Sequence, residues 1–361
     1  MSAGIAAAGP VGGPARRPSV TRADVAKLAG VSTAVVSYVV NDGPRPVAAA
    51  TAARVREAME MLGYLPNASA RALRLGSTGT IGLVLGDSQN PHFSEYTFEL
   101  GRVAAAHGKR LLIADTHQNE RTEIQIVEDL VSRQVDGLLF ASPLAQIDES
   151  LPLRVAGTPV VLIDCPGPIP GRRTVGADAA GGAEMLVRHL VEHGRRRIGL
   201  IVGDSGFGDP DPREQGWRRG LQASGLAEGP IVRVPFTREG GYAGAQLLLA
   251  QEPRVDAVLT SNDLQGIGLV RVLQEHGISI PDDIAVAAFD GTKETEYCWP
   301  PLTVARQPRA KLAEAAINLL LETGTRGRHV QLETELIRRA SCGCPHADDV
   351  VEPRAHLLIR N

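Results

Sequence analysis

The chain has 361 residues, 43% of them apolar, four cysteines and a formal net charge of -3. That is more than one average domain and enough apolar content for a large core, while four cysteines are too few for a disulfide framework. Charge is uneven: residues 1–76 hold nine Lys/Arg against four Asp/Glu, and the remainder holds 29 against 37. A basic head on an acidic body suits a nucleic-acid-binding module joined to a second function.

The opening MSAGIAAAGPVGGPARRPS places Gly and Pro where a signal peptide needs a continuous apolar core, and its Arg pair follows the Ala-rich part. Residues 1–18 are expected to be a disordered tail. No apolar run approaches the roughly 18 residues of a membrane span. A cytoplasmic protein is therefore expected, with no membrane partner.

From Val20 to Asn41 the sequence reads as two short helices joined by a tight turn. Thr21 is placed to cap the first helix, with Asp24 closing a capping box and Val20 and Val25 spaced as a hydrophobic staple. The same grammar recurs with Ser32 as cap, Val31 and Val36 as staple, and Gly30 as the turn. Spacing alone leaves two readings, a helix-turn-helix or an ordinary helical hairpin. On the second helix Val36, Val39 and Val40 share the inward face, leaving Thr33, Ala34, Ser37 and Tyr38 outward. A third helix is predicted from about Ala49 to Leu62, ended by Gly63. Three such helices make a thin core, stable only marginally alone.

The segment YLPNASARALRLGSTGT follows. Pro66 stops regular structure and Asn67 can cap a short helix over Ala68 to Leu75, too short to form unless docked. Its small residues permit close approach to DNA, Arg71 and Arg74 can meet phosphates, and Leu73 is placed to wedge between base steps. The alternative is a linker leucine packing on the core.

Together, V-x-x-x-DVAKLAGVS-x-x-x-VS-x-VVN and GY-x-PN-x-x-AR-x-L resemble the lac repressor/galactose repressor family of bacterial transcription regulators. The resemblance implies that Thr33, Ala34 and Tyr38 read bases, Asn41 and Thr51 contact phosphates, and Leu73 intercalates. Thr21, Ser32, Ser37, Asn67, Ala70 and Arg71 complete the DNA-facing set. Family members usually carry Thr at Val35 and Arg or His at Tyr38. A tyrosine cannot make the bidentate arginine contact to guanine. Ala48 stands where Ser often caps the third helix, at a cost of about 1 kcal/mol.

Beyond Thr80, apolar β-branched runs (IGLVLGD, LLIADT, GLLFAS, PVVLID, RIGLIVG, AVLTSND, IAVAAFD) alternate with helical stretches. Such runs imply parallel strands covered on both faces and two doubly wound α/β layers. Ligands sit off the carboxyl ends of such strands, which here carry Asp87, Asn90, Ser142, Asp164, Asp204, Asn262, Asp263 and Asp290. Each is individually a plausible helix cap or turn residue; their shared placement favours a cleft. His107, His193 and His276 each precede a Gly that ends a helix and are read as caps. With His193 so explained, its pairing with His189 is weak evidence of a metal. Cys342 and Cys344 form a C-x-C without the second pair or histidines of a structural zinc site, and are read as reduced thiols. No P-loop, dinucleotide fingerprint or nucleophile elbow occurs, so no enzyme and no cofactor is expected.

The resemblance extends over roughly residues 19–345. It implies a helix-turn-helix headpiece (19–64), a hinge (65–77) and a two-lobed, periplasmic-binding-protein-like effector domain (78–345), followed by a tail (346–361). Lobe 1 is expected at about 78–177 and 308–329, and lobe 2 at 178–305 and 330–345. It implies effector contacts from Asn90, His92, Phe93, Ser142, Asp164, Arg213, Phe236, Asn262, Asp263, Asp290 and Gln307. Amide, carboxylate and guanidinium groups against aromatic faces suit a sugar or related small molecule. Phe207 replaces a polar contact of purine-binding relatives, which disfavours nucleobases; His92 and Gly291 also depart from the common pattern. The expected protein is a homodimeric repressor that binds a palindromic operator on double-stranded DNA under effector control. A solute-binding receptor is the rival reading, though it lacks a reason for the headpiece; the final segment is too short for a tetramerising coiled coil.

Overall fold

The computed structural model describes residues 20–41, 43, 45–66, 76–141, 155, 157–203, 210–252, 254–322, 324 and 327–344. Asn67, Ala70, Arg71, Leu73, Ser142, Asp204 and Phe207 lie outside them. The chain divides into two compact units, one ending at Thr78 and the other starting at Gly79.

The first unit is three helices: α1 (Arg22–Ala29), α2 (Thr33–Asn41) and α3 (Ala49–Leu62). Thr21 opens α1 with a complete capping box. Asp24 Oδ2 accepts from the Thr21 amide at 2.8 Å and its hydroxyl at 2.7 Å. These bonds hold the Asp24 carboxyl below its ordinary range. Gly30 ends α1 with φ 65°, and Ser32 Oγ accepts from the Val35 amide at 3.3 Å to start α2. The helices bend by 104° across this turn, within the range of a helix-turn-helix. Ala48 gives α3 no side-chain cap, and Gly63 ends it with φ 63°. Val25, Ala26, Ala29, Val36, Val55, Ala58 and Tyr64 form the core. Val39 and Val40, expected inward, sit only half-buried at its margin.

The second unit holds two six-stranded sheets. In chain order it runs β1 (Thr80–Leu85), α4 (Pro91–Ala106), β2 (Arg110–Asp115), α5 (Glu120–Ser132), β3 (Gly137–Ala141), β4 (Val160–Ile163) and β5 (Thr174–Ala177). It continues with α6 (Ala179–Glu192), β6 (Ile198–Gly203), α7 (Pro212–Ala223), β7 (Ile231–Val234), α8 (Arg238–Leu249), β8 (Ala257–Thr260) and α9 (Asp263–Glu275). The remainder is β9 (Ala285–Asp290), a short 3-10 turn (Lys293–Glu296), β10 (Thr303–Arg306), α10 (Arg309–Leu321), β11 (His329–Leu332), β12 (Glu335–Ile337) and a final 3-10 turn (Ala340–Cys342).

The first sheet has the order β2-β1-β3-β4-β5-β11 and is parallel throughout. The second repeats it as β7-β6-β8-β9-β10-β12, with only β12 antiparallel. The chain passes between the sheets after β5, β10 and β11. That last crossing follows Leu332, later than the boundary near 329–330 expected from sequence, because β11 pairs with β5 over His329–Leu332. α10 returns to the first sheet, where Leu312, Ala313, Ala316, Ile317, Leu319 and Leu320 join its core. The expectation of strands covered on both faces fails at β2, whose Leu112 and Ile113 are 40% and 50% exposed at the sheet edge. Among the described residues no single helix is long and apolar enough to cross a membrane.

Candidate DNA-reading face and effector cleft

On the headpiece, Ser32, Thr33 and Ala34 are exposed at the start of α2, and Thr21 is exposed beside the first cap. Ser37, Tyr38, Asn41 and Thr51 are half-buried. Tyr38 is not simply outward: a Cβ on Gly43 would lie 2.6 Å from its Cδ1, so the ring rests on that glycine. The Asn41 amide donates to the Ser37 carbonyl at 2.9 Å. The face is short, polar and uncharged, and it can approach a groove closely.

In each sheet the strand order reverses beside one strand, β1 and β6, the place where open α/β sheets characteristically form a crevice at the carboxyl ends. From the second sheet Arg213 enters at the start of α7. Its Nε and Nη2 donate to the two oxygens of Asp211 at 2.9 and 3.1 Å, and its Nη1 donates to the Ser261 carbonyl at 2.7 Å. A guanidinium has five N–H groups, so one on each terminal nitrogen stays uncommitted to these partners. Phe236 and Phe289 lie against it with their centroids 5.3 and 5.4 Å away. Burial works against the charge, but the Asp211 and Asp290 carboxylates outweigh it and hold Arg213 above its ordinary range. Gly203 ends β6 directly beneath Phe236; a Cβ there would fall 1.8 Å from Phe236 Cζ.

Asn262 caps α9, accepting from the Gln265 amide at 2.8 Å while its own amide donates to the Phe236 carbonyl at 3.0 Å. Asp263 commits both oxygens to the next loop. Oδ1 accepts from the Gly291 amide at 3.2 Å, and Oδ2 from the Thr292 amide and hydroxyl at 2.6 and 2.8 Å. Burial, then the nearby Asp290 charge, push Asp263 up to about 7. Burial also raises Asp290, against the opposing charges of His92 and Arg213. Asp290 has φ 102° and takes the Gln307 amide on Oδ1 at 2.9 Å.

From the first sheet Asn90 caps α4, accepting from the His92 amide at 3.0 Å. His92 is buried, with Nε2 3.5 Å from Asp164 and Nδ1 4.0 Å from Asp290. Neither ring nitrogen makes a hydrogen bond to another described residue. Burial opposes its charge, but Asp290 and Asp164 prevail and raise its pKa. Phe93 meets the His92 ring edge-on at 5.1 Å and packs on the first core. Asp164 directly follows β4 with φ 56°. Glu95 joins the lobes, pairing with Arg309 at 2.7 Å and accepting from the Lys293 amide at 2.8 Å. Arg309 also donates to the carbonyls of Asp290 and Gly291 at 2.8 and 2.7 Å.

The structure thus brings His92, Asp164 and Asp290 together, with Arg213, Phe236, Asn262 and Gln307 on the second-lobe side. Asp211, Phe289, Glu95 and Arg309 belong to the same network and were missed from sequence. Asp211 was the findable one, since D-P-R is a capped helix start with the carboxylate two residues from Arg213.

Residues 21–67 match the bacterial regulatory proteins of the lacI family, and residues 187–342 match the periplasmic binding protein-like domain. The ribose operon repressor of Escherichia coli (strain K12) is 32% identical over 329 residues, covering 89% of this chain and 99% of the relative. The transcriptional regulator GalR of Escherichia coli (strain K12) is 35% identical over 301 residues, covering 82% and 87%. The lac repressor dimer bound to operator and the anti-inducer ONPF superposes with a TM-score of 0.82 at 25% identity, covering 90% of this chain and 99% of that one. The complex of the transcriptional regulator CelR with cellobiose gives 0.65 at 30% identity, covering 90% and 100%. With a capped helix-turn-helix ahead of paired α/β lobes, this chain belongs to the lacI family of bacterial regulatory proteins and is a DNA-binding transcriptional regulator.

Proposed function

We propose that this protein is a homodimeric repressor that reads a palindromic operator with α2 and is controlled by a sugar held between its two lobes. The observation that carries the effector reading is His92, a buried imidazole whose two nitrogens lack hydrogen-bond partners among the described residues. It lies beside Asp164 and Asp290, and Arg213 with its stacked Phe236 belongs to the same electrostatic network. Clustered donors and acceptors beside an aromatic face suit vicinal hydroxyls on a sugar ring. Relatives described with ribose and cellobiose support that class. The proposed role is that of a sensor rather than an enzyme, and a regulator of DNA works in the cytoplasm.

On the DNA side, Thr33, Ala34 and Tyr38 are the proposed base readers and Asn41 and Thr51 the phosphate contacts. Without a charged reader, affinity rests more on phosphates and on the Leu73 wedge. Self-association is supported by apolar surface on the first lobe: Phe98 is 70% exposed, close in sequence to the exposed edge strand β2. Asp263 acts by fixing the 291–292 loop. For control, the sugar must bind one lobe arrangement more tightly, since equal affinity shifts nothing. Moving the balance from 1:99 to 99:1 needs a preference of about 10⁴-fold.

A thermal-shift screen of sugars and nucleobases on the full chain tests the effector class, because a ligand of the folded state raises Tm. A sugar should give the largest rise; a nucleobase that outperforms every sugar would reject the class. A gel shift on palindromes near the chain's own gene should show sequence-selective, salt-sensitive binding. There Leu73→Ala should lose a few kcal/mol, roughly 100-fold, in operator affinity while keeping the same ligand-induced Tm rise. Unchanged operator affinity would reject the wedge.

A further inference from the structure

In sequence, the histidine beside Cys342 and Cys344 is His346, which lies outside the described residues. The fold supplies two others. His189 lies in the last turn of α6 and His193 caps it, so both rings project from one helix end, 4.7 Å apart. The final 3-10 turn brings the C-x-C against that end. His189 Nε2 is 3.2 Å from Cys342 Sγ and 3.6 Å from Cys344 Sγ, and His193 Nε2 is 3.2 Å from Cys344 Sγ. One ligand atom from each of the four residues lies within 4.8 Å of all the others.

We propose that His189, His193, Cys342 and Cys344 form a tetrahedral zinc site that clips the C-terminal turn to the end of α6. Zinc takes sulfur at about 2.3 Å and imidazole nitrogen at about 2.0–2.1 Å, which sets tetrahedral edges of roughly 3.3–3.8 Å. The three observed nitrogen–sulfur distances already lie near those edges. Two sulfurs and two nitrogens in a tetrahedron are the donor set of zinc rather than of magnesium or calcium.

The surroundings fit the same ion. Both histidines turn Nε2 to the sulfurs, and the buried His189 Nδ1, without a hydrogen-bond partner among the described residues, has Glu192 Oε2 3.9 Å away. A metal-bound imidazole characteristically donates its other N–H to such a carboxylate. Thr303 Oγ1 lies 2.9 Å from both the Arg339 carbonyl and Cys342 Sγ, so its one proton can turn to the sulfur once that is a thiolate. The C-terminal end of α6 carries partial negative charge, favourable to a cation. Gly343 turns the C-x-C with φ 98°, and a Cβ there would approach His193 Nδ1 to 3.5 Å. His189 and Cys342 are buried while His193 is exposed and Cys344 half-buried, so an ion can reach the site from solvent. Loop closure makes the clip consequential: the ligands join segments 153 residues apart, and fixing such contacts lowers the entropy of the unfolded chain.

Full-length protein, reduced and stripped with a chelator, is titrated with Co²⁺ and then Zn²⁺. One Co²⁺ per chain should bind with the intense ligand-field bands of a tetrahedral ion and thiolate-to-cobalt charge transfer, and Zn²⁺ should displace it. Zn²⁺ should also restore a Tm lowered by stripping. Cys344→Ser should lower metal affinity by more than the roughly 10–100-fold that removal of an outer-shell partner costs, and its Tm should ignore chelation. If Cys344→Ser fails to fold, His193→Gln at the exposed ligand takes its place in the same titration. A six-coordinate spectrum, less than one ion per chain, or a variant that titrates like the native protein would overturn the site. So would a Cys342–Cys344 disulfide that survives reduction while no metal is taken up. None of these readouts involves DNA or sugar, so the site stands or falls apart from the repressor reading.

Discussion

The two lobes share a strand order yet prepare their sides of the cleft differently. In the second lobe the described cleft groups hold one another, with two Arg213 N–H groups left over. Arg213 is forked onto Asp211, Asp263 is spanned by the 291–292 loop, Asn262 is tied to the Phe236 carbonyl, and Gln307 to Asp290. In the first lobe the central group, His92, is buried without hydrogen bonds to described residues. A preorganised lobe fixes the geometry of a ligand at little entropic cost. The His92 ring nitrogens reach the Asp164 and Asp290 carboxylates only at 3.5 and 4.0 Å, so a ligand hydroxyl at hydrogen-bond distance adds contacts the ring does not make to described residues. The asymmetry makes the second lobe the template and the first the part whose stability changes on binding. Such a difference between lobes is what a ligand needs in order to bias their arrangement.

Removing the template should have the largest effect. Arg213→Ala deletes the uncommitted N–H donors and leaves Asp211 without its fork, and charged hydrogen bonds contribute about 1.5–3 kcal/mol each. Affinity for the sugar that gives the largest Tm rise should fall by at least about 100-fold, while operator binding without sugar is retained. Titration of Tm against sugar measures the first and a gel shift the second. A native-like sugar response would remove Arg213 from the site and with it the claim that the second lobe is the template.

A milder break targets the aromatic support. Gly203→Ala puts a methyl where Phe236 now sits, so the ring must leave its place against Arg213. Losing a stacking face contributes about 0.5–1.5 kcal/mol, so sugar affinity should fall by roughly 10-fold. The same titration checks it. Unaltered affinity would mean that the ring supports the fold of lobe 2 but not the ligand.

What sequence reveals about this molecule follows from how local each feature is. The Thr21–Asp24 box, the Ser32 cap and the glycines closing α1 and α3 act within four residues and were legible. So were seven strands, including the four-residue β4 and β8, whose apolar runs are unbroken. β5, β7, β10, β11 and β12 were not: Gly176, Arg233 and Gln331 interrupt three of them, Arg306 closes β10, and β12 has three residues. Arg213 is named by its motif, whereas its contact with the Ser261 carbonyl joins residues 48 apart and needs the fold. The histidines that face the C-x-C likewise come from a helix 153 residues away in sequence, so spacing along the chain does not reveal them. Tyr38 shows the converse limit: helical spacing put it outward, and only packing shows that Gly43 supports its ring.

The smallest effect concerns the charge on His92. Burial alone would lower its pKa, but the Asp290 and Asp164 carboxylates raise it above the ordinary 6.5. A folded-state pKa above the unfolded one favours the protonated ring in the native protein. Its contribution to stability is complete below pH 6.5 and is lost as pH rises through the higher, folded value. His92→Phe removes this term while keeping a ring in the buried position. The stability of the native protein relative to His92→Phe should therefore decline as pH is raised above about 6.5 and then level off. Urea denaturation of both proteins without sugar, in steps from pH 6 to pH 8, measures that difference. A difference that grows with pH would mean that burial wins and the imidazole is neutral, in which case the first lobe would meet its ligand with a neutral ring rather than a charged donor.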